Sequence, residues 1–401
     1  MLKIVRTKEG KSYLFPFILI TSLFLLWGVA HSILDVLNKH FQDELSITKA
    51  KSAWVQAVVY GGYFLMALPA GALIKKMGYK WVVVLGLALY ALGSFLFIPG
   101  SRLLSFPFFL FSLFIIGCGL TCLETAANPY ITVLGDRQYS ASRLNLAQAF
   151  NGLGWMLGPL LGGLFIFSEE GNLSTPYAWI GGVVSFVALL FVRVKLPEIP
   201  MEEEVSAGKE SPSQKQGLWQ HRHFKWGVVA LFCYVAAQTG INSFFINYAT
   251  ESSLGIDNRT ASLLLSFGGM GLFMLGRIGG SWLMNRIDAQ KILFFFALGA
   301  ALCMVLVVGN WGWISLGALF LCYLFESILF PTIFALAIAQ LGAHTEKASS
   351  YLIMSIVGGA IAPIGMGYLG EENMSLGFLI PLVCFVIILG YGSTYSSLLK
   401  H

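Results

Sequence analysis

Residues Phe106–Leu134 read FPFFLFSLFIIGCGLTCLETAANPYITVL. The stretch exceeds the roughly 20 residues that an α-helix needs to cross about 30 Å of hydrocarbon. It carries a single charge, Glu124, far from either end. Its apolar character is unbroken rather than alternating in segments of about ten residues, so it predicts a spanning helix and not a barrel strand.

Eleven further runs of this kind bring the expected number to twelve: near 14–38, 52–74, 81–99, 106–134, 143–168, 175–195, 223–250, 260–284, 290–309, 312–339, 347–370 and 375–398. The composition agrees, with 57% hydrophobic and 11% charged residues, against about 25% charged in soluble domains. So apolar a chain needs lipid as its solvent. The fold class expected is therefore an all-α membrane protein.

An even number of spans puts both termini on one side. With that side cytoplasmic, inner segments hold nineteen Lys and Arg and outer segments five (Lys39, Lys49, Lys51, Arg102, Arg259), while Arg277 lies within a span. This is the positive-inside pattern. The net charge of +5 is thus a matter of topology, and no nucleic-acid partner is expected. All six cysteines fall inside apolar runs, which argues against a disulfide framework or a zinc site. The first apolar run is too long for a cleavable signal peptide and lacks a small-residue cleavage site.

Residues 196–222, with Glu202, Glu203, Glu204, Lys209, Glu210 and Pro212, form a polar cytoplasmic linker. They separate an expected N-terminal six-helix bundle, 1–195, from a C-terminal one, 223–401. The halves echo each other. Glu124 and Pro129 recur as Glu326 and Pro331, 202 residues on; Gly154 and Pro159 recur as Gly358 and Pro363, 204 on; Gly62 and Gly71 recur as Gly271 and Gly280, 209 on. Three pairs at nearly one offset predict a parallel six-plus-six repeat, the arrangement of the major facilitator fold.

Asp35, Glu124 and Glu326 are the carboxylates well inside the spans. A charge at such depth costs roughly 2.5–3.5 kcal/mol on insertion scales. Each such group faces a cavity or a partner, or carries a proton. A carboxyl that loads a proton from one side and releases it on the other supplies proton coupling. The alternative for each is a structural hydrogen bond or ion pair. His31 and Asp35 are one helical turn apart and share a face. Glu124 is followed by Thr125, Asn128 and Pro129, and the proline interrupts the helix ladder. Gln148 and Asn151 share a face, as do Gln238 and Asn242. Buried amides need partners. Sugar hydroxyls, which both donate and accept, suit them, and helix-to-helix bonds are the alternative. Trp27, Tyr63, Phe150, Trp155 and Tyr323 are candidate platforms for a sugar ring, or packing. Arg277 pairs with an acid or anchors a loop. No P-loop, dinucleotide fingerprint, H-E-x-x-H or nucleophile elbow is present. No catalytic residue, metal or cofactor is therefore expected, and the linker is too short for a nucleotide domain.

The segment Gly119–Gly135, GLTCLETAANPYITVLG, resembles the L-fucose–proton symporter family of the major facilitator superfamily, which also includes glucose/galactose transporters. So do Arg143–Asn151 (RLNLAQAFN), Phe24–Trp27 with Asp35 following, and Phe330–Phe334 (FPTIF). The resemblance covers almost the whole chain. It implies two six-helix bundles with alternating access, and a central cavity with protonatable carboxylates at Asp35 and Glu124. It also implies sugar contacts at Gln148 and Asn151. Ser32, preceded by His31, stands where the family carries a substrate-binding asparagine. Lys75 stands where the superfamily's cytoplasmic loop has an acid, and Glu326 has no expected counterpart.

The expectation is a monomeric importer in a cell membrane, of the bacterial inner-membrane type, carrying a monosaccharide such as fucose, galactose or glucose by proton symport. Its coupling acids are Asp35 and Glu124, with Glu326 a possible second-half acid. Its sugar site comprises Glu124, Asn128, Gln148, Asn151, Gln238, Asn242, His31, Ser32 and Trp27. Two alternatives stand beside it: sodium coupling through Asp35 or Glu326, and a membrane sugar sensor that binds without moving its ligand.

Overall fold

The computed structural model describes residues 13–134, 140–168, 173–194, 217–284, 286–341 and 344–399. Most of the 196–222 linker lies outside the described residues. The described residues form α1 (Leu14–Leu45), α2 (Lys49–Ser52), α3 (Trp54–Leu103), α4 (Phe106–Val133), α5 (Ser140–Leu161), α6 (Ser174–Arg193), α7 (Arg222–Glu251), α8 (Asn258–Leu264), α9 (Gly271–Met284), α10 (Ala289–Gly309), α11 (Trp313–Glu326), α12 (Leu329–Ile338), α13 (Thr345–Met354), α14 (Gly358–Leu369), α15 (Met374–Gly377) and α16 (Leu379–Leu399).

Eleven helical segments among them are long and apolar enough to cross a membrane. One of these, Lys49–Leu103, contains two of the expected runs. They are divided at Gly78, whose φ of 80° and ψ of 164° leave the helical region. Counted as two crossings, that segment restores the twelve spans. Large apolar side chains stand outward, with Leu68 86% and Trp179 72% exposed, as lipid-facing surfaces require.

The described chain forms two compact units. The first draws on Met1–Ile47, Ala57–Met201 and Asn258–Ser266; the second on Thr48–Gln56, Glu202–Asp257 and Phe267–His401. Each unit therefore takes one short segment from the opposite half of the sequence. Asn258–Ser266 is fastened in the first unit by the Ser262 hydroxyl donating to Pro159 O (2.7 Å) and the Ser266 hydroxyl to Met156 O (2.7 Å). Thr48–Gln56 is fastened in the second by Lys49. Its ammonium lies 2.8 Å from the Glu251 carboxylate and donates to Gly370 O (2.7 Å) and Glu371 O (3.0 Å). Its backbone N–H donates to the Glu371 carboxylate at 3.0 Å.

In the first unit the most extensive helix pair is α1 against α5. Small residues allow the close approach, as is usual between membrane helices. Gly154, Gly158 and Gly162, spaced by four, meet Gly28, Ser32 and Val36, also spaced by four. A Cβ built on Gly154 would lie 2.4 Å from Leu25 O. The second unit repeats this seam between α7 and α14, where a Cβ on Gly358 would lie 2.4 Å from Phe232 O. The repeat read in the sequence is thus one of helix packing.

The two prolines one turn and more beyond the repeated glutamates act differently. α4 runs without interruption through Pro129. In the second unit the helix breaks, α11 ending at Glu326 and α12 starting at Leu329. Pro331 has no N–H for the carbonyl four residues before it, that of Ser327. The Arg277 guanidinium takes up that carbonyl (Nε to Ser327 O, 3.4 Å) and lies 4.9 Å from the Phe273 ring. Arg277 therefore anchors a helix break.

Candidate functional site

In the first unit α1, α3, α4 and α5 bring a polar group together. Glu124 is partly accessible although its helix is apolar around it. The Tyr63 hydroxyl of α3 is hydrogen-bonded to its carboxyl. Tyr63 Oη also lies 3.0 Å from His31 Nε2 of α1. The His31 ring stacks on Trp155 of α5, centroids 5.9 Å apart and planes 15° apart. Tyr60 borders it at 6.2 Å. Asn128, one turn beyond Glu124, has a buried carbonyl oxygen without a hydrogen-bond partner. A sugar hydroxyl can supply the missing donor. Gln148 is partly accessible on α5.

Other expected residues lie in the walls. Asn151 is 6% exposed and its amide donates to Phe24 O at 3.1 Å. Trp27 is 6% exposed and stacks on Phe24 at 4.8 Å. Ser32 is fully buried, and its hydroxyl donates to Gly28 O (3.0 Å) and Gly154 O (3.1 Å) in the α1–α5 seam. Asp35 is buried at 1% exposure, one turn past His31. Arg143, one of the basic residues of the positive-inside pattern, is fully buried, and its Nε donates to Ile131 O at 3.0 Å. That carbonyl belongs to the last turn of α4, where a cation complements the helix end. An arginine just past a helix end is a weak signal, shared by ordinary topology charges.

The second unit carries Gln238, partly accessible, and Asn242, 2% exposed with its carbonyl oxygen unpartnered. Glu326 is fully enclosed, and neither carboxyl oxygen has a hydrogen-bond partner. The matching seams fix how the two units correspond. Leu25 and Phe232 receive equivalent glycines and stand 207 residues apart. The same offset pairs His31 with Gln238 and Asp35 with Asn242. Tyr63, which follows Gly62, corresponds to Leu272, which follows Gly271. The first unit thus holds titratable groups where the second holds amides and a leucine. Among the described residues, no three His, Cys, Asp or Glu gather as a metal site.

The model of the Major Facilitator Superfamily matches residues 17–364. The chain belongs to the major facilitator superfamily. This superfamily member is 39% identical over 408 residues to the L-fucose-proton symporter of Escherichia coli, covering 95% of this chain and 93% of that one. It is 35% identical to the glucose/galactose transporter of Brucella abortus, covering 96% and 95%. Its structure aligns with a crystal structure of the E. coli fucose:proton symporter at a TM-score of 0.69 and 38% identity, covering 96% and 99%. It also aligns with a D-xylose-proton symporter at a TM-score of 0.74 and 14% identity, a likeness of fold alone. The superfamily member is a multi-pass membrane transporter and not an enzyme.

Proposed function

We propose that this protein imports a monosaccharide of the fucose, galactose or glucose type across a bacterial cell membrane by proton symport with alternating access. One observation carries the reading: Glu124 is a partly exposed acidic residue within a membrane-length helix, held by the Tyr63 hydroxyl beside an aromatic and amide lining. A carboxyl whose hydrogen-bond partner is a neutral hydroxyl, and not a fixed cation, can exist with or without its proton. The similarity to curated sugar transporters over nearly the full length supports the sugar class.

The coupling acids are Asp35 and Glu124. In the first unit the sugar meets Glu124, Asn128, Gln148, His31 and the ring of Trp155; the second unit offers the amides of Gln238 and Asn242 as sugar contacts. Ser32, Asn151 and Trp27 shape the wall behind these contacts. The chain acts as a monomer with both termini in the cytoplasm.

Uptake of radiolabelled L-fucose, D-galactose and D-glucose into proteoliposomes tests the proposal. An inwardly directed proton gradient is expected to drive accumulation, and Glu124→Gln is expected to abolish it while counterflow persists. Replacing sodium by choline at fixed pH is expected to change nothing. Undiminished pH-driven accumulation in Glu124→Gln would remove Glu124 from the coupling mechanism.

A further inference from the structure

The Tyr63 hydroxyl stands between two groups. Its oxygen is 3.0 Å from His31 Nε2 and is hydrogen-bonded to the Glu124 carboxyl. A phenol has one hydrogen to donate, so it serves one neighbour as donor and the other only as acceptor. When Glu124 carries a proton, its O–H donates to Tyr63 Oη. Tyr63 then donates to His31 Nε2, and the imidazole hydrogen resides on Nδ1. When Glu124 is ionised, Tyr63 donates to the carboxylate. His31 Nε2 must then carry the hydrogen and donate to Oη, which leaves Nδ1 as an acceptor.

We propose that His31 and Tyr63 form a proton relay in which the proton occupancy of Glu124 sets the tautomer of His31, so that His31 Nδ1 presents a donor or an acceptor to the sugar. The step balances. A proton arriving from water at Nδ1 releases the Nε2 hydrogen to Tyr63 Oη, and the Tyr63 hydrogen passes to the Glu124 carboxylate. One proton is taken up, three N–H or O–H bonds form and two break, and the imidazole is neutral before and after the step. Tyr63 is a positioning residue here; His31 meets the sugar through Nδ1 and sets which sugar hydroxyl is favoured.

The surroundings suit a neutral imidazole. Tyr60 and Tyr63 of α3 border the His31 ring, Asp35 lies one turn on along its own helix, and Glu124 of α4 bonds to Tyr63. From α5 it meets the uncharged face of Trp155, which fixes the ring plane. Nδ1 is the nitrogen Tyr63 does not engage, and His31 is partly accessible. The second unit has no such device, because Gln238 and Leu272 occupy the corresponding positions and Glu326 is left without a donor.

This inference rests on the reading of Glu124 as the proton carrier, and the test separates the two. Binding of radiolabelled L-fucose and D-galactose to purified protein is measured from pH 5.5 to 8.5, alongside 15N spectra of histidine-labelled protein with His31→Gln as the assignment blank. The wild type is expected to bind the preferred sugar about tenfold more tightly at the acid end, with the Nδ1 and Nε2 resonances of His31 exchanging protonation over the same range. Tyr63→Phe, which keeps the ring, is expected to reduce that pH dependence to less than about twofold and to freeze one tautomer. A single tautomer at both pH limits in the wild type, a doubly protonated His31, or a full pH dependence in Tyr63→Phe would each overturn the relay. The spectra need no variant beyond the blank, so a poorly folding Tyr63→Phe leaves the test intact. Were wild-type affinity and accumulation both independent of pH, the symport reading itself would fall.

Discussion

Glu124 and Glu326 occupy the same place in the two repeats, yet their surroundings differ. Glu124 has the Tyr63 hydroxyl; at the position of Tyr63 the second unit has Leu272, and Glu326 keeps both oxygens without a partner at 0% exposure. An ionised carboxylate so enclosed would stand as an uncompensated buried charge, at a cost of several kcal/mol. The site accommodates the uncharged acid, whose nearest substitute in shape is glutamine. Glu326→Gln is expected to change stability by no more than about 1 kcal/mol and to leave proton-driven accumulation intact. Thermal unfolding in detergent and proteoliposome uptake check it, and loss of coupling in this variant would give the second half a proton site. All three acids were legible in the sequence, because a charge inside a spanning run stands out. The bond between His31 and Tyr63 was not, since the two lie 32 residues apart on different helices. Helix-to-helix register is fixed by packing depth, which periodicity along one chain does not encode.

At the scale of the element, the site depends on how closely α5 lies against α1. Gly154 sits one turn before Gly158 and three residues after Asn151, so the approach of the two backbones sets where the Asn151 amide reaches Phe24 O. A methyl at Gly154 would meet Leu25 O at 2.4 Å and Gly28 Cα at 2.9 Å. Both are backbone atoms that cannot rotate away, and overpacking of this kind costs about 1–3 kcal/mol. Gly154→Ala is therefore expected to lower the unfolding temperature and weaken sugar affinity together. Gly152→Ala is the control: its added Cβ meets nothing within 4 Å, and alanine's better helix propensity, up to about 1 kcal/mol, should make it neutral or stabilising. Equal losses in both variants would show that the seam is not what matters. The sequence pairing of Gly154 with Gly358 pointed to this seam. It did not reveal that Ser32 belongs to it, because the resemblance placed a sugar ligand there and only the packing shows the hydroxyl donating to Gly154 O.

At the scale of the whole molecule the repeat is symmetric in packing and asymmetric in chemistry. The twelve spans were legible from apolar run length, and the repeated helix seam from the spacing of Gly154 and Gly358. The assignment of Thr48–Gln56 to the second unit and of Asn258–Ser266 to the first was not, because the hydrogen bonds of Lys49 and Ser262 join residues far apart in the chain. The asymmetry follows from the common offset: His31 and Asp35 of the first unit correspond to Gln238 and Asn242 of the second. Amides hydrogen-bond a sugar at any pH near neutrality but cannot carry a proton. If ion coupling resides in the first half, making that half as neutral as the second should leave a carrier that equilibrates sugar without concentrating it. The double variant Asp35→Asn with Glu124→Gln is expected to retain counterflow of labelled sugar in proteoliposomes, while a proton gradient raises internal sugar no further than the external level. Accumulation above that level in the double variant would place the coupling group elsewhere in the chain and break the assignment of proton chemistry to the first unit.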